Sequence, residues 1–130
     1  MQMTRILALL LIILALPISV EAVKPPEVST SSTPSSIALA NHLRDSGVVK
    51  YSAYWCPHCH EQNELFGKKA ASRLLNVECA IDGENSRAEL CKKKGITGFP
   101  SWEINGTIES GIKTLEELAN LSDFEGLKDF

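Results

Sequence analysis

Two cysteines separated by two residues, Cys56 and Cys59, stand where a strand-like run gives way to a helix-like pattern. Residues 48–55 are rich in β-branched and aromatic residues, which favour a strand. Across residues 56–75 the apolar residues keep close to the 3.6-residue period of a helix. The pair is therefore predicted at the first turn of a helix that directly follows a strand. This placement restricts both the fold and the chemistry.

The start of a helix favours a negatively charged sulfur, because free N–H groups and the helix dipole concentrate positive charge there. Since the thiolate is the reactive form of cysteine, we expect Cys56 to be the nucleophile. Cys59 lies one turn further along and is expected to face inward, where it resolves the mixed disulfide that Cys56 forms. The dithiol itself carries two electrons, so we expect no metal and no organic cofactor.

Three neighbouring residues are expected to tune or frame the pair. Pro57 suits the first turn of a helix, and His58 can supply a positive charge or a donor to the Cys56 sulfur. Trp55 is expected to pack beside the site and to shape a docking surface. Because a stabilised thiolate also stabilises the reduced pair, a spacer with histidine and without glycine favours a strongly oxidising disulfide.

The remaining patterns complete a small α/β domain. They predict these elements in order: a first helix ending at Gly47, a strand over 77–81, a short helix over 87–94, a hairpin turning at Asn105-Gly106, and a last helix opened by a capping box of Thr114 and Glu117. A strand–helix–strand unit requires parallel pairing, whereas a hairpin adds antiparallel strands. We therefore predict an α/β fold with a small mixed four-stranded sheet flanked by helices.

The first 36 residues are predicted to lie outside this domain. Residues 1–22 combine Arg5 with a largely apolar run of 15 residues, which is typical of a secretory signal peptide. As a helix this run would reach roughly 22 Å, short of a bilayer core of about 30 Å, and an uncleaved membrane anchor is the alternative. Residues 23–36, rich in Pro, Ser and Thr, predict a semi-extended linker before a domain over 37–130.

Length and charge exclude several classes of protein. A chain of 130 residues accommodates one ordinary domain rather than two. Lys and Arg total 13 against 16 Asp and Glu, and the net charge of −3 argues against a nucleic-acid binder, which normally carries a concentrated basic face. We expect a monomer whose partners are proteins carrying cysteines.

A second landmark is the proline that precedes the predicted hairpin, in Gly98-Phe99-Pro100. Its position after the strand–cysteine–helix unit predicts a cis peptide bond that faces the cysteines. The backbone of Phe99 would then be free to pair with a client segment in β fashion. The alternative is a trans proline that merely begins an edge strand.

Several segments occur together in a distinctive order. They are Tyr54-Trp55-Cys56-Pro57-His58-Cys59, Glu61-Gln62-Asn63-Glu64-Leu65-Phe66-Gly67, the pair Cys79 and Cys91, and the run from Gly95 through Gly98-Phe99-Pro100 to Gly106. In this order they resemble the thioredoxin superfamily and, more narrowly, the thioredoxin-like domain fused to bacterial and plant homologues of vitamin K epoxide reductase.

The resemblance implies a thioredoxin-like fold and an exported oxidoreductase of the periplasm or thylakoid lumen, with or without a membrane anchor, that passes disulfides to client proteins. In the fused proteins a membrane quinone reductase domain reoxidises the dithiol. This sequence shows no such membrane bundle. The resemblance therefore implies either a separate vitamin K epoxide reductase-like membrane partner or a different redox circuit.

Alternatives stay open at three places. Cys79 and Cys91 are expected to form a structural disulfide in an oxidising compartment, and a second redox pair that relays electrons is the alternative. Lys50 stands six residues before Cys56, where many thioredoxins carry a buried acid, and we expect its side chain to point to solvent. The alternative functions are a disulfide reductase feeding electrons to a maturation pathway, and a non-enzymatic Cys/His metal-binding module.

Overall fold

The structure, a computed structural model, describes residues 15–130. Its helices and strands in order are α1 (Pro34–Asp45), β1 (Val49–Ser52), α2 (Pro57–Phe66), α3 (Lys68–Ala71), β2 (Leu75–Glu78), α4 (Ala88–Lys93), β3 (Ser101–Ile104), β4 (Thr107–Ser110) and α5 (Leu115–Leu121). Most of the predicted signal peptide lies outside the described residues. Within the described range, no helix has the length and apolar character needed to cross a membrane.

The four strands form one mixed sheet in the order β2-β1-β3-β4. β1 pairs with β2 in parallel, with Lys50 opposite Asn76. β1 also pairs with β3 in the antiparallel sense, and β3 with β4 likewise. The predicted α/β fold with a small mixed four-stranded sheet flanked by helices is therefore confirmed.

One face of the sheet carries the main apolar core. Successive side chains of a strand alternate between faces, so the buried Trp102 of β3 shares a face with its register partner Lys50 of β1. Trp102 packs against Phe66 of α2 with ring centroids 6.3 Å apart. The buried residues of this core, drawn from α1, α2, α3, α5 and the sheet, are Leu39, Ala40, Leu43, Val48, Phe66, Ala70, Trp102, Ile104, Leu115, Leu118, Ala119 and Phe124.

On the opposite face of the sheet, side chains of β1 and β3 contact the C-terminal end of α4. Tyr51 of β1 is buried, and its hydroxyl donates to Glu103 of β3 at 2.6 Å. Lys94, which caps the C-terminal end of α4, donates to the other oxygen of Glu103 at 2.7 Å. The sheet therefore has helices on both faces, and β1, one of its two interior strands, is buried on both.

The segment of residues 23–33, which we call the N-terminal strap, lies against the domain. The backbone N–H groups of Ser29 and Thr30 donate to the Glu64 carboxylate at 2.8 and 3.0 Å. The N–H of Lys68 donates to the Thr30 carbonyl at 2.9 Å, and a bridge joins Val23 to Gly83. We expected a semi-extended linker over 23–36. The strap is extended, but it is bound to the domain, because its backbone groups form hydrogen bonds with α2 and α3.

Helix α1 begins earlier than its sequence pattern indicated. Thr33 is its N-cap, accepting from the N–H of Ser36 at 3.0 Å, and Pro34 occupies the first turn. The end of the helix near Gly47 agrees with the prediction, since Gly47 adopts a φ of +74°. The folded region therefore takes in residues that we had placed in the linker.

The single helix predicted over residues 56–75 is wrong, since Gly67 divides it into α2 and α3. Gly67 adopts a φ of +81°, which favours glycine. A Cβ atom at this position would also lie 2.5 Å from the backbone nitrogen of Ser32 in the strap. The close passage of the strap thus requires glycine at this point. After α3 the chain enters β2 at Leu75, two residues before the predicted strand.

A disulfide joins Cys79, just after β2, to Cys91 in α4, with Cα atoms 5.8 Å apart. The structure thus pairs the two cysteines as expected. The bond closes a loop with a sequence separation of 12 residues. Closing a loop of this size restricts the unfolded chain and stabilises the folded one.

We expect the double substitution Cys79→Ser/Cys91→Ser to lower the free energy of unfolding by about 3 kcal/mol, because the unfolded chain regains loop entropy. Urea unfolding under non-reducing conditions measures this change. An unaltered unfolding midpoint would contradict a structural role for the bond. A relay role predicts instead that a folded double variant loses turnover, so thiol-exchange activity should be measured on the same preparation.

Candidate active site

The end of β1 and the start of α2 place the cysteine motif. After β1 the chain turns through residues 53–55, and the N–H of Cys56 donates to the Ala53 carbonyl at 3.0 Å. Cys56 is the N-cap of α2, with extended dihedral angles (φ −81°, ψ 114°), and Pro57 follows in the first turn. The predicted position of Cys56 at a helix start is confirmed.

The Cys56 sulfur has two polar partners among the described residues. The N–H of Cys59 donates to Cys56 Sγ at 3.2 Å. The sulfur thus accepts the hydrogen bond that a serine or aspartate oxygen accepts at other helix N-caps. Cys56 Sγ donates in turn to the carbonyl of Phe99 at 3.6 Å. Negative charge on the Cys56 sulfur would therefore be stabilised by the Cys59 N–H and by the dipole of α2.

Cys56 and Cys59 are both buried, with 5% and 4% of their surface exposed. Cys59 lies in an environment that disfavours its charged form. It packs with Cys56, Ala53 and Ala80 in a small apolar cluster. Burial, followed by the hydrogen bond with Cys56, raises the pKa of Cys59 to about 12. Cys59 therefore stays protonated at neutral pH, which fits a sulfur that acts only after Cys56 has been engaged.

The Phe99–Pro100 peptide bond is cis, as the sequence predicted. Pro100 is fully buried and Phe99 is half-buried, with its carbonyl facing the Cys56 sulfur. The Trp55 ring meets the Phe99 ring edge to face, with centroids 5.9 Å apart. Trp55 is 59% exposed and Ile81 is 88% exposed, so apolar surface is available in the loops that follow β1 and β2.

His58 does not reach the Cys56 sulfur in this structure. Its side chain is 70% exposed, and its Nδ1 lies 3.7 Å from a carboxylate oxygen of Glu61, one turn along the same helix. Glu61 thus competes with Cys56 for the His58 side chain. The expected tuning of Cys56 by His58 stays a prediction.

The expectation that Lys50 points to solvent is wrong. Lys50 is 2% exposed, and its Nζ donates to the side-chain oxygen of Asn63 on α2. Burial lowers the pKa of Lys50 to about 8, although the nearby Cys59 and Cys56 raise it. The sequence does contain a signal for this burial, because the period of two places Lys50 on the same face as Val48, a core residue directly before β1.

Two further polar residues shape the site and carry no local sequence signal. Gln62 is fully buried, accepts from the Trp102 indole N–H at 3.2 Å and donates to the Lys113 carbonyl at 2.9 Å. Glu78 is also buried and accepts from the N–H groups of Ala80 at 2.8 Å and Tyr54 at 3.3 Å. Their partners are distant in sequence or lie in loops, so only the folded chain reveals them.

Among residues 15–130, no group of three or more His, Cys, Asp or Glu side chains is placed to hold a metal ion. His60, which follows the cysteine pair, is instead directed to Glu64, with its Nε2 at 3.2 Å from the carboxylate. His58 is likewise paired with Glu61. The two histidines of the motif region therefore face helix carboxylates.

Comparison with known proteins shows clear similarity to thiol-exchange proteins. The chain is 46% identical over 101 residues to the thiol-disulfide oxidoreductase LTO1 of Arabidopsis thaliana. The matched region covers 75% of the chain and 27% of that relative. It is 33% identical over 81 residues to a glutaredoxin of Pseudomonas aeruginosa, covering 62% of the chain and 93% of that relative.

A third relative is a probable protein disulfide-isomerase A6 of Medicago sativa, 32% identical over 92 residues, with 61% of the chain and 24% of the relative covered. No protein-family model matches the chain. The chain thus spans about a quarter of the length of the Arabidopsis and Medicago relatives, and nearly the whole of the glutaredoxin.

The unequal environments of the two sulfurs generate a prediction. When the reduced protein is treated with iodoacetamide at neutral pH, we expect Cys56 to be modified and Cys59 to resist, because burial holds the pKa of Cys59 at about 12. Mass spectrometry of proteolytic fragments measures the extent at each cysteine. The Cys56→Ser variant serves as the control and should remain largely unmodified at Cys59. Equal modification of both cysteines would contradict the assignment.

Proposed function

The chain belongs to the thioredoxin superfamily, and from this membership we propose that it is a thiol–disulfide oxidoreductase acting on client proteins that contain cysteines. The observation that carries the proposal is the Cys56 sulfur at the start of α2, bonded by the Cys59 N–H at 3.2 Å and facing the Phe99 carbonyl. Such a sulfur is suited to nucleophilic exchange, and a shielded second sulfur lies one turn away.

The proposed reaction oxidises the client in two exchanges. A client thiolate attacks Cys56 Sγ of the Cys56–Cys59 disulfide, the bond between the two sulfurs breaks, and Cys59 leaves with the electron pair. A second client thiolate then attacks the client sulfur of the mixed disulfide, and Cys56 leaves as the thiolate. The client gains a disulfide, and the protein holds two more electrons as a reduced dithiol.

We propose that Phe99 and Trp55 bind the client near the reacting sulfur. The Phe99 carbonyl lies within hydrogen-bonding reach of Cys56 Sγ, so a client backbone that bonds at Phe99 would be held next to Cys56. The exposed ring of Trp55 offers apolar contact without selecting one side chain. This arrangement suits a protein that accepts many cysteine-containing clients.

We further propose that the protein works outside the cytoplasm, in a periplasm or thylakoid lumen. The Cys79–Cys91 disulfide supports this location, since such bonds persist in oxidising compartments. The sequence resemblance to domains fused to vitamin K epoxide reductase homologues supports a quinone-linked membrane partner of that kind, which would reoxidise the Cys56–Cys59 dithiol.

Substitution of the resolving cysteine tests the reaction. When Cys56 is first activated as a mixed disulfide with glutathione, the Cys59→Ala variant should exchange the glutathione for a client thiolate. A client with a single cysteine should then stay bound through Cys56, because neither Cys59 nor a second client thiol is present to release it. Non-reducing electrophoresis and mass spectrometry measure the adducts and identify clients and the membrane partner. The matched control is Cys56→Ala, which should form none. Failure of the glutathione-activated Cys59→Ala variant to form adducts with reduced, unfolded proteins that carry a single cysteine would contradict the proposed function.

The direction of electron flow is tested by the reduction potential. Potentials in this superfamily range from about −270 mV for thioredoxin to about −120 mV for the oxidant DsbA. We expect a value closer to that of DsbA, because the N-cap position of Cys56 and a spacer with histidine and without glycine favour a thiolate at Cys56 in the reduced form. Equilibration with glutathione buffers measures it. A value at or below that of thioredoxin would favour a reductase instead.

A further inference from the structure

A buried lysine lies beneath the cysteine pair without a carboxylate partner. Lys50 is 2% exposed, and its ammonium donates to the neutral side chain of Asn63. None of the ion pairs between described residues includes Lys50. A buried charge of this kind is unfavourable unless a nearby group carries the opposite charge at some stage. The candidates for that group are the two sulfurs.

The geometry directs the lysine towards Cys59 in particular. Asn63, which holds the ammonium, lies four residues after Cys59 and therefore on the same face of α2, one turn away. A narrow cavity of about 30 Å³ is lined by Cys59 and Asn63, and a wider one of about 290 Å³ is lined by Lys50 and Asn63. Pro25 and Pro26 of the strap line both cavities.

We infer that Lys50 is a positioning residue of the dithiol, whose buried ammonium stabilises negative charge on Cys59 when the Cys56–Cys59 disulfide opens. The inference rests on the proposed function and deepens it. As the client thiolate bonds to Cys56 Sγ, the electron pair of the broken bond passes to the Cys59 sulfur. The Lys50 ammonium then transfers a proton to this sulfur, and the resulting amine recovers a proton from solvent. No further oxidant or reductant is needed.

The effect should depend on pH, because only the charged lysine can act. The pKa of Lys50 is about 8 with both thiols present, and the cysteines raise it. In the disulfide form they carry no charge, so Lys50 should lose its proton at or below that value. Other titratable groups line the two cavities around Lys50 and Cys59, namely Tyr54, His60, Glu78, Glu27 and Lys68. A variant that removes the lysine charge alone separates its contribution from theirs.

The decisive experiment compares the wild type with Lys50→Met, which keeps the unbranched apolar part of the side chain and removes its charge. The rate at which dithiothreitol opens the Cys56–Cys59 disulfide is followed by tryptophan fluorescence across a pH series and divided by the thiolate fraction of the reagent. We expect the wild type to react about tenfold faster at neutral pH. The ratio of the wild-type rate to the Lys50→Met rate should approach one when the pH is well above the pKa of Lys50. The exposed Lys92→Met is the charge-matched control and should react like the wild type.

A ratio near one throughout, or a ratio that does not change with pH, would overturn the inference. If Lys50→Met does not fold, Asn63→Asp decides the matter, since a carboxylate placed against the ammonium should compete with Cys59 for its charge. Slower opening of the disulfide in Asn63→Asp at neutral pH supports the role of Lys50, and an unchanged rate contradicts it. The reaction with dithiothreitol needs no client, so these results stand even if the proposed oxidation of clients fails.

Discussion

The hydrogen bond from the Cys59 N–H to the Cys56 sulfur is the interaction on which the site depends. It exists because a sulfur occupies the N-cap of α2, where backbone N–H groups have no partner within the helix. The core holds this helix start in place, since Phe66 packs on Trp102 and Gln62 bonds the Trp102 indole. The packing of α2 on the sheet is thus what keeps a reactive sulfur at the edge of a small domain.

The polar groups beneath the helix distinguish this domain within its fold. A buried lysine, rather than an acid, donates to the amide of Asn63, which lies one helical turn after the shielded thiol of Cys59. Burial disfavours both the charged lysine and the ionised Cys59, so each would be stabilised by the other when the disulfide opens. Because the charged forms of Lys50 and Cys59 are each unfavourable alone, their proximity would couple reduction of the Cys56–Cys59 disulfide to proton binding.

Much of the fold followed from local patterns. The hairpin turn at Asn105-Gly106 and the capping box of Thr114 and Glu117 are formed as predicted, because each depends on residues a few positions apart. The break at Gly67 was missed, although a glycine of this kind ends helix α1 at Gly47. The tight fit at Gly67 could not be predicted, since it comes from the strap backbone, which would lie 2.5 Å from a Cβ atom at this position. The docking of the strap itself was missed for a similar reason, because Glu64 lies about 35 residues from Ser29.

The sequence by itself determined that a cysteine pair would begin a helix after a strand, and that a cis proline would face it, since spacing and residue type decide these features. Tertiary structure alone decided the surroundings of the pair. In the folded chain His58 lies near Glu61 and the buried Lys50 donates to Asn63. The strap binds α2 through Glu64. Burial and long-range hydrogen bonds depend on which surfaces pack together, so they cannot be read from neighbouring residues in the sequence. They are fixed only when the whole chain has folded.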